Sequence, residues 1–402
     1  MAMIEAGIAA ADPEDCVARH LPAVVEGTDA GDWHIIAIGK AARAMSHAAL
    51  KILPVAETLI VTNSGNDAPL DGARIMVAGH PVPDADGEAA ALAVETMLAG
   101  VGQGECVLAL ISGGGSAMLP APVAGLDLSD KQAVNRLLLA SGADITTTNL
   151  IRQSLSRLKG GGWLRLSKAP ITSLILSDVP GDDLRVIASG GTVAPIGTIA
   201  EAKEAAKALG IWDDLPSAAR DALSREEDRG ALPPTKTILV GSNAQSVAAM
   251  VAAGATEAAM PLTGDVADCA AAMLDAVGDV PPGGALAFGG ETTVRLTGDG
   301  MGGRNQELAL RFALLAEGRL DGDWRLACVG SDGRDGPGEA AGGLVGPDTP
   351  AQIRAAGIDP DDALRRNDST PALRAGDALV TIGATGTNVA DLAVFVRAAA
   401  PC

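Results

Sequence analysis

The stretch Cys106-Val107-Leu108-Ala109-Leu110-Ile111, followed by Ser112-Gly113-Gly114-Gly115-Ser116, sets an apolar run against a loop of glycine and serine. An apolar run of this length reads as a strand, and the small polar residues after it as a tight loop into a helix. The unit recurs along the chain. His34–Ile38 leads into Gly39-Lys40-Ala41-Ala42 and a helix through Leu50, and Ile171–Leu176 into Ser177-Asp178-Val179-Pro180-Gly181-Asp182. Thr237–Val240 leads into Gly241-Ser242-Asn243 and an Ala-rich helix, and Arg325–Val329 into Gly330-Ser331-Asp332-Gly333-Arg334-Asp335-Gly336. Ala378–Ile382 leads into Gly383-Ala384-Thr385-Gly386-Thr387-Asn388 and a last helix. Strands alternating with helices predict βαβ units and mostly parallel sheets. Any one of these loops is explained as a tight turn; six of one composition, at strand ends where open sheets bind ligands, point to a phosphate-type ligand.

Length and composition bound the function. A chain of 402 residues exceeds the roughly 250–300 that a single core supports, so two domains are expected. Asp213–Arg229 is dense in charge and runs into Gly230 and Pro233-Pro234, which predicts a boundary between domains 1–232 and 233–402. The formal charge of −20, with four Trp, three Phe and no Tyr, argues against nucleic acid, which needs basic grooves and stacking platforms. No apolar stretch reaches the ~20 residues of a membrane span, and the acidic N-terminus has no signal-peptide pattern. Five scattered cysteines (Cys16, Cys106, Cys269, Cys328, Cys402) include no CxxC pair, which predicts a reducing, cytoplasmic setting.

Several residues could carry chemistry. Lys40 is a lone cation at a predicted helix start, an unfavourable place for it unless an anion binds there. Arg304, beside glycines at another helix start, suits a phosphate or carboxylate clamp, or else a surface ion pair with Glu307. Asp178, Asp332 and Asp335 follow apolar runs; each alone reads as a cap, whereas together they suit Mg²⁺ or a general base. His80, in a Pro-stiffened loop, stands open between a loop role and a site role. Gly298-Asp299-Gly300-Met301-Gly302-Gly303 matches GxGxxG after a predicted strand Thr292–Leu296. Arg295 and the polar cluster Arg304–Glu307 make it a weak dinucleotide signal. No Walker A motif occurs.

Taken in order, Gly39–Ala42, His80–Asp84, Ser112–Ser116, Leu155–Gly161, Ser177–Asp182, Ala188–Thr192, Gly289–Thr293, Gly302–Leu308, Ser331–Gly336 and Thr385–Asn388 span nearly the whole chain. This series resembles the glycerate 2-kinases, a group that also carries the name hydroxypyruvate reductase from the tartrate operon. The resemblance implies an α/β fold of two α/β/α sandwich domains, a larger N-terminal Rossmann-like parallel sheet and a smaller C-terminal mixed sheet, with a cleft between them. A last helix could pack back on the N-terminal domain. It implies phosphorylation of D-glycerate at the 2-hydroxyl with ATP and Mg²⁺, without nucleic-acid or membrane partners, and allows a homodimer. Carried over by position, Lys40, Arg304 and Asp178 would be catalytic, and Asp178 and Asp332 would hold metal. Ser112, Gly113, Gly114, Gly115, Ser116, Asn305, Glu307, Thr385, Thr387 and Asn388 would bind substrate or phosphate. The chain departs from the family pattern at Gln153-Ser154 (usually Lys-His), Ala384 (usually Pro) and Thr370 (usually Tyr). A nicotinamide-dependent reductase and a non-catalytic sugar-acid or phosphate sensor are the competing readings.

Overall fold

The structure is a computed structural model that describes residues 1–26, 32–225 and 230–399. The chain divides into one compact unit of Pro13–Val240 and another of Met1–Asp12 with Gly241–Cys402.

The sheet of the first unit contains β1 (Trp33–Ile38), β2 (Val55–Thr62), β3 (Arg74–Val77), β4 (Cys106–Ile111), β5 (Ile171–Leu176) and β6 (Lys236–Gly241). They run in the order β3-β2-β1-β4-β5-β6, and β1 pairs in parallel with both β2 and β4. β4 is buried along its whole length and β1 almost so, as expected of parallel strands covered by helices on both faces. The chain builds outward from β1 to β3, then returns to place β4 on the other side of β1. The crevice beyond the carboxyl ends of β1 and β4 is therefore a topological switch point, the place where open α/β sheets bind ligands.

The second sheet contains β7 (Thr256–Glu257), β8 (Ala285–Gly290), β9 (Trp324–Gly330), β10 (Gly342–Val345), β11 (Leu379–Val380) and β12 (Asp391–Arg397), in the order β11-β10-β9-β12-β8-β7. It is mixed: β7 and β8 are parallel, whereas β12 is antiparallel to both β8 and β9. Three of the chain's few aromatics form its core, with the Phe312 and Trp324 rings edge to face at 5.5 Å and Phe395 stacked on Trp324 at 6.1 Å.

Three expectations are corrected. The chain after Asn388 is not a helix packed back on the N-terminal domain but β12, a central strand, because Val394, Phe395 and Val396 fit a pleated surface. Thr292–Leu296 is not a strand; it forms only an isolated bridge at Thr293. The units divide between Val240 and Gly241, at the last residue of β6, and not at 232/233, since Pro233-Pro234 leads into a strand that completes the first sheet. Glu226–Arg229, part of the charged stretch used for that boundary, lies outside the described residues.

Candidate active site

In the first unit the loops after β1, β4 and β5 meet. Gly39-Lys40 leaves β1, and the Lys40 amide donates to the Gly113 carbonyl at 2.9 Å. Ser112 Oγ accepts from the Ala41 amide at 3.0 Å and donates to the Ile38 carbonyl at 3.2 Å, so this hydroxyl braces the two loops. Among the described residues the amides of Gly113 and Gly114 have no acceptor, which leaves two donors at the switch point. Gly113 cannot carry a side chain, because a Cβ there would collide with the Asp178 carboxylate at the end of β5. Burial raises the Asp178 pKa above the ordinary carboxylate value, and the Lys40 ammonium pulls it back. The His80 ring stands against Gly114, its pKa lowered by burial and by the same Lys40 charge. No described residue forms an ion pair with Lys40 itself.

Ser116 is engaged differently. Lys159 Nζ donates to the Ser116 carbonyl at 2.8 Å, to Ser116 Oγ at 2.6 Å and to Ser189 Oγ at 3.2 Å. Ser189 Oγ in turn donates to Asn149 Oδ1 at 2.8 Å. The loop Ser112–Ser116 is thus held at both ends, with the Gly113 and Gly114 amides uncommitted between them.

In the second unit Arg304 opens the helix Arg304–Ala316. Its fork closes on Asp391 at the start of β12, with Nε to Oδ2 at 2.7 Å and Nη2 to Oδ1 at 3.0 Å, while Nη1 reaches Glu291 Oε1 at 2.7 Å. Burial opposes the Arg304 charge, but Asp391 and Glu291 outweigh it and raise its pKa. The partner is therefore not Glu307, which pairs with Arg311 and accepts from Asn367 Nδ2 at 3.1 Å. Asp335 is the anionic cap of this helix, accepting from the Asn305 and Gln306 amides at 3.0 and 2.8 Å. Asn305 Nδ2 also donates to Asp391 at 2.8 Å. Thr387 Oγ1 donates to the Ala11 carbonyl, tying the N-terminal helix to its unit, and Thr385 Oγ1 donates to Ser331 O, both at 2.6 Å. Asn388 Oδ1 accepts from the Ala390 amide at 3.2 Å. Of the site residues expected here, Asn305, Glu307 and Thr387 are buried struts, whereas Asp332, Thr385 and Asn388 lie on partly exposed loops. The expected metal pair is split, with Asp178 in the first unit and Asp332 in the second.

The GxGxxG match has a conformational explanation. A Cβ on Gly298 would strike the Arg366 carbonyl, and one on Gly300 would strike the backbone around Arg366–Asp368. These glycines allow a close approach to the chain's own Arg366–Ser369 segment, with no preceding strand to make a dinucleotide fold.

A family described as a domain of unknown function, DUF4147, matches residues 1–224, and the MOFRL family matches residues 284–391. A Pyrococcus horikoshii protein named glycerate 2-kinase is 33% identical, over 98% of this chain and 96% of its own. The crystal structure of a Thermotoga maritima glycerate kinase superposes with a TM-score of 0.88 at 33% identity, covering 98% of this chain and 97% of that one. The chain belongs to the glycerate 2-kinase family. An Agrobacterium vitis protein provisionally named hydroxypyruvate reductase is 40% identical over 89% of this chain and 97% of its own, so both names run through these relatives.

Within the glycerate 2-kinase family, the departures of this chain at Gln153-Ser154 and Thr370 fall on buried braces, whereas Ala384 is exposed. Gln153 donates to the Arg185 and Ser189 carbonyls at 2.8 and 3.2 Å and accepts from the Ile196 amide, and Ser154 Oγ donates to the Leu150 carbonyl. Thr370 Oγ1 donates to Gln306 Oε1 at 2.6 Å. Arg152, next to Gln153, instead lines a cavity with Lys131 and Lys159. Lys131 and Arg152 are not among the expected site residues; the Arg152/Lys159 spacing around Leu155–Gly161 is the sequence signal that points to this cluster. No helix of the described residues is long and apolar enough to cross a membrane.

Proposed function

We propose that the protein transfers a phosphoryl group from ATP to the 2-hydroxyl of D-glycerate, giving 2-phosphoglycerate. The reading is supported chiefly by the meeting of Lys40, the Gly113 and Gly114 amides and Asp178 at the switch point of the first sheet, in a chain of this family. Phosphoryl transfer needs positioning and charge stabilisation more than covalent chemistry, and this set can provide both. The Asp178 carboxylate, made more basic by burial, accepts the proton of the 2-hydroxyl. Lys40 and the two amides hold phosphate oxygens and offset the charge that grows on them. Within the second unit, Arg304 is the other cation to which the proposal gives a catalytic role, and Asp391 fixes the plane of its guanidinium.

A Mg²⁺ ion, which would neutralise phosphate charge when bound, is compatible with these residues in one mode. Among the described residues no group of three His, Cys, Asp or Glu could hold a metal. Mg²⁺ commonly takes only one or two carboxylates and is otherwise held by substrate phosphates and water, so Asp178 in the first unit, or Asp332 in the second as a separate candidate, suits an ion that arrives with the nucleotide. Four buried free thiols, Cys16, Cys106, Cys269 and Cys328, fit the reducing cytoplasm in which we place the enzyme.

The test is purified protein with ATP, Mg²⁺ and D-glycerate, following ADP and assigning the product by phosphorus NMR. Formation of 2-phosphoglycerate is expected. 3-Phosphoglycerate would overturn the assigned hydroxyl, and no ADP release would overturn the kinase reading.

A further inference from the structure

A cavity of about 160 Å³ in the first unit is lined by Lys131, Arg152, Lys159, Asn135, Ser116 and His80. It is smaller than the ~300–1,000 Å³ of pockets that hold drug-sized ligands, so a nucleotide does not fit inside it and a three-carbon acid or a single oxyanion does. Its charge is one-sided. Lys131 and Lys159 are 8% and 6% exposed, yet no described carboxylate forms an ion pair with either of them or with Arg152. A fourth cation nearby, Arg157, shows the ordinary arrangement, with Nε 2.7 Å from Glu95. Buried charges are normally paired, and three unpaired cations repel one another. Burial, and then the neighbouring cations, lower the pKa of both lysines.

The donors are not equally committed. All three contacts of Lys159 go to Ser116 and Ser189, so it shapes the wall and lends charge. Lys131 Nζ donates once, to the Leu155 carbonyl at 3.2 Å, and Arg152 once through Nε, to Asn135 Oδ1 at 2.8 Å. The remaining donors are a guanidinium edge and an ammonium, the pair suited to a planar oxyanion. Gly114, beside the Gly113 that packs on Asp178, also lines the cavity, so one loop serves both places.

We propose that this cavity is an oxyanion site, with Arg152 and Lys131 as its ligands and the carboxylate of the hydroxy-acid substrate as its occupant. This deepens the kinase reading and rests on it for the occupant, not for the anion chemistry. A nucleotide phosphate is the other source of an oxyanion, and the experiment separates them.

Calorimetric titrations of the wild type and of Arg152→Gln and Lys131→Met use D-glycerate, glycerol (similar in size, with no charge) and inorganic phosphate as probes. Steady-state KM values are measured for glycerate and ATP separately. Wild type is expected to bind glycerate and not glycerol. Each variant is expected to lose about 10- to 100-fold in glycerate affinity and to raise the glycerate KM by a similar factor, the range for removing a hydrogen bond to a charged group, with the ATP KM within about two-fold of wild type. Arg152→Lys should keep the fold and restore part of the affinity. A rise in the ATP KM alone would assign the cavity to nucleotide phosphate and overturn the carboxylate. Unchanged glycerate affinity in both folded variants would overturn the site altogether. Glycerate binding without turnover in wild type would retain the site and remove the kinase reading, so the two failures remain distinguishable.

Discussion

Arg304 and Asp391 form a two-point ion pair in which the carboxylate is fully buried and the guanidinium is a third exposed. Arg304→Ala would leave that carboxylate without its cation, so this substitution affects the fold as well as any catalysis. Breaking a buried pair from one side typically destabilises by several kcal/mol; because Arg304 is partly hydrated, about 3 kcal/mol is expected. Urea unfolding of Arg304→Ala against wild type checks it, and an unchanged midpoint would show that Asp391 needs no partner. Arg304→Lys should recover little, since an ammonium cannot span both oxygens.

Lys40 presents the opposite case. No described carboxylate pairs with it, and it is half-buried at the end of β1. Lys40→Ala should lower kcat by about two to three orders of magnitude, the usual effect of removing one charge-stabilising donor, with the melting temperature nearly unchanged. Near-normal turnover would take Lys40 out of the mechanism.

Gly113→Ala places a methyl group against Asp178. Moving a reacting group by even 1 Å can reduce rate about a hundred-fold, so kcat should fall by about that factor. Asp178→Ala in the same background should then add little, because the carboxylate is already displaced. Two independent losses in the double variant would mean that Gly113 acts elsewhere.

Lys131 predicts a pH dependence. Burial first, then Arg152 and Arg157, lower its pKa to about 8. Below pH 8 it is protonated in both the folded and unfolded chain, and burying that charge opposes folding by about 3 kcal/mol at roughly 1.4 kcal/mol per pKa unit. Between pH 8 and the ordinary lysine value near ~10.4 the unfolded chain binds more protons, so this contribution makes stability rise with pH. Glycerate affinity should move the other way, weakening above pH 8 as Lys131 loses its charge. Lys131→Met should melt higher than wild type at pH 7 without ligand and lose the alkaline decline in affinity. An unstabilised variant with an unaltered pH profile would contradict this account.

Some of this architecture was legible in the sequence, and the reasons are local. Cys106–Ile111 and Ile171–Leu176 are continuous apolar runs bounded by polar loops, and they are strands over those same residues. β12 reads as a helix in the sequence because Thr385–Asn388 resembles a helix cap, and caps and turns favour the same residues. The meeting of Lys40, Ser112–Ser116 and Asp178 could be anticipated, because each part directly follows a strand. The cationic cavity could not: Lys131 and Arg152 each lie on a helix that reads as ordinary, and only the packing of those helices beside Ser116 and Lys159 brings the charges together.

The place of β12 also bears on how the molecule is made. During synthesis β8 and β9 emerge with a gap between them that Asp391–Arg397 fills, and the helix Ala2–Ala10, made before the whole of the Pro13–Val240 unit, belongs to the same unit as that sheet. The Pro13–Val240 unit can mature while translation continues, whereas its companion must wait, with open strand edges, until Asp391–Arg397 has been made. Ribosome stalling or nonsense mutations shortly before residue 391 should therefore yield one folded unit attached to an aggregation-prone partner rather than a weakened enzyme.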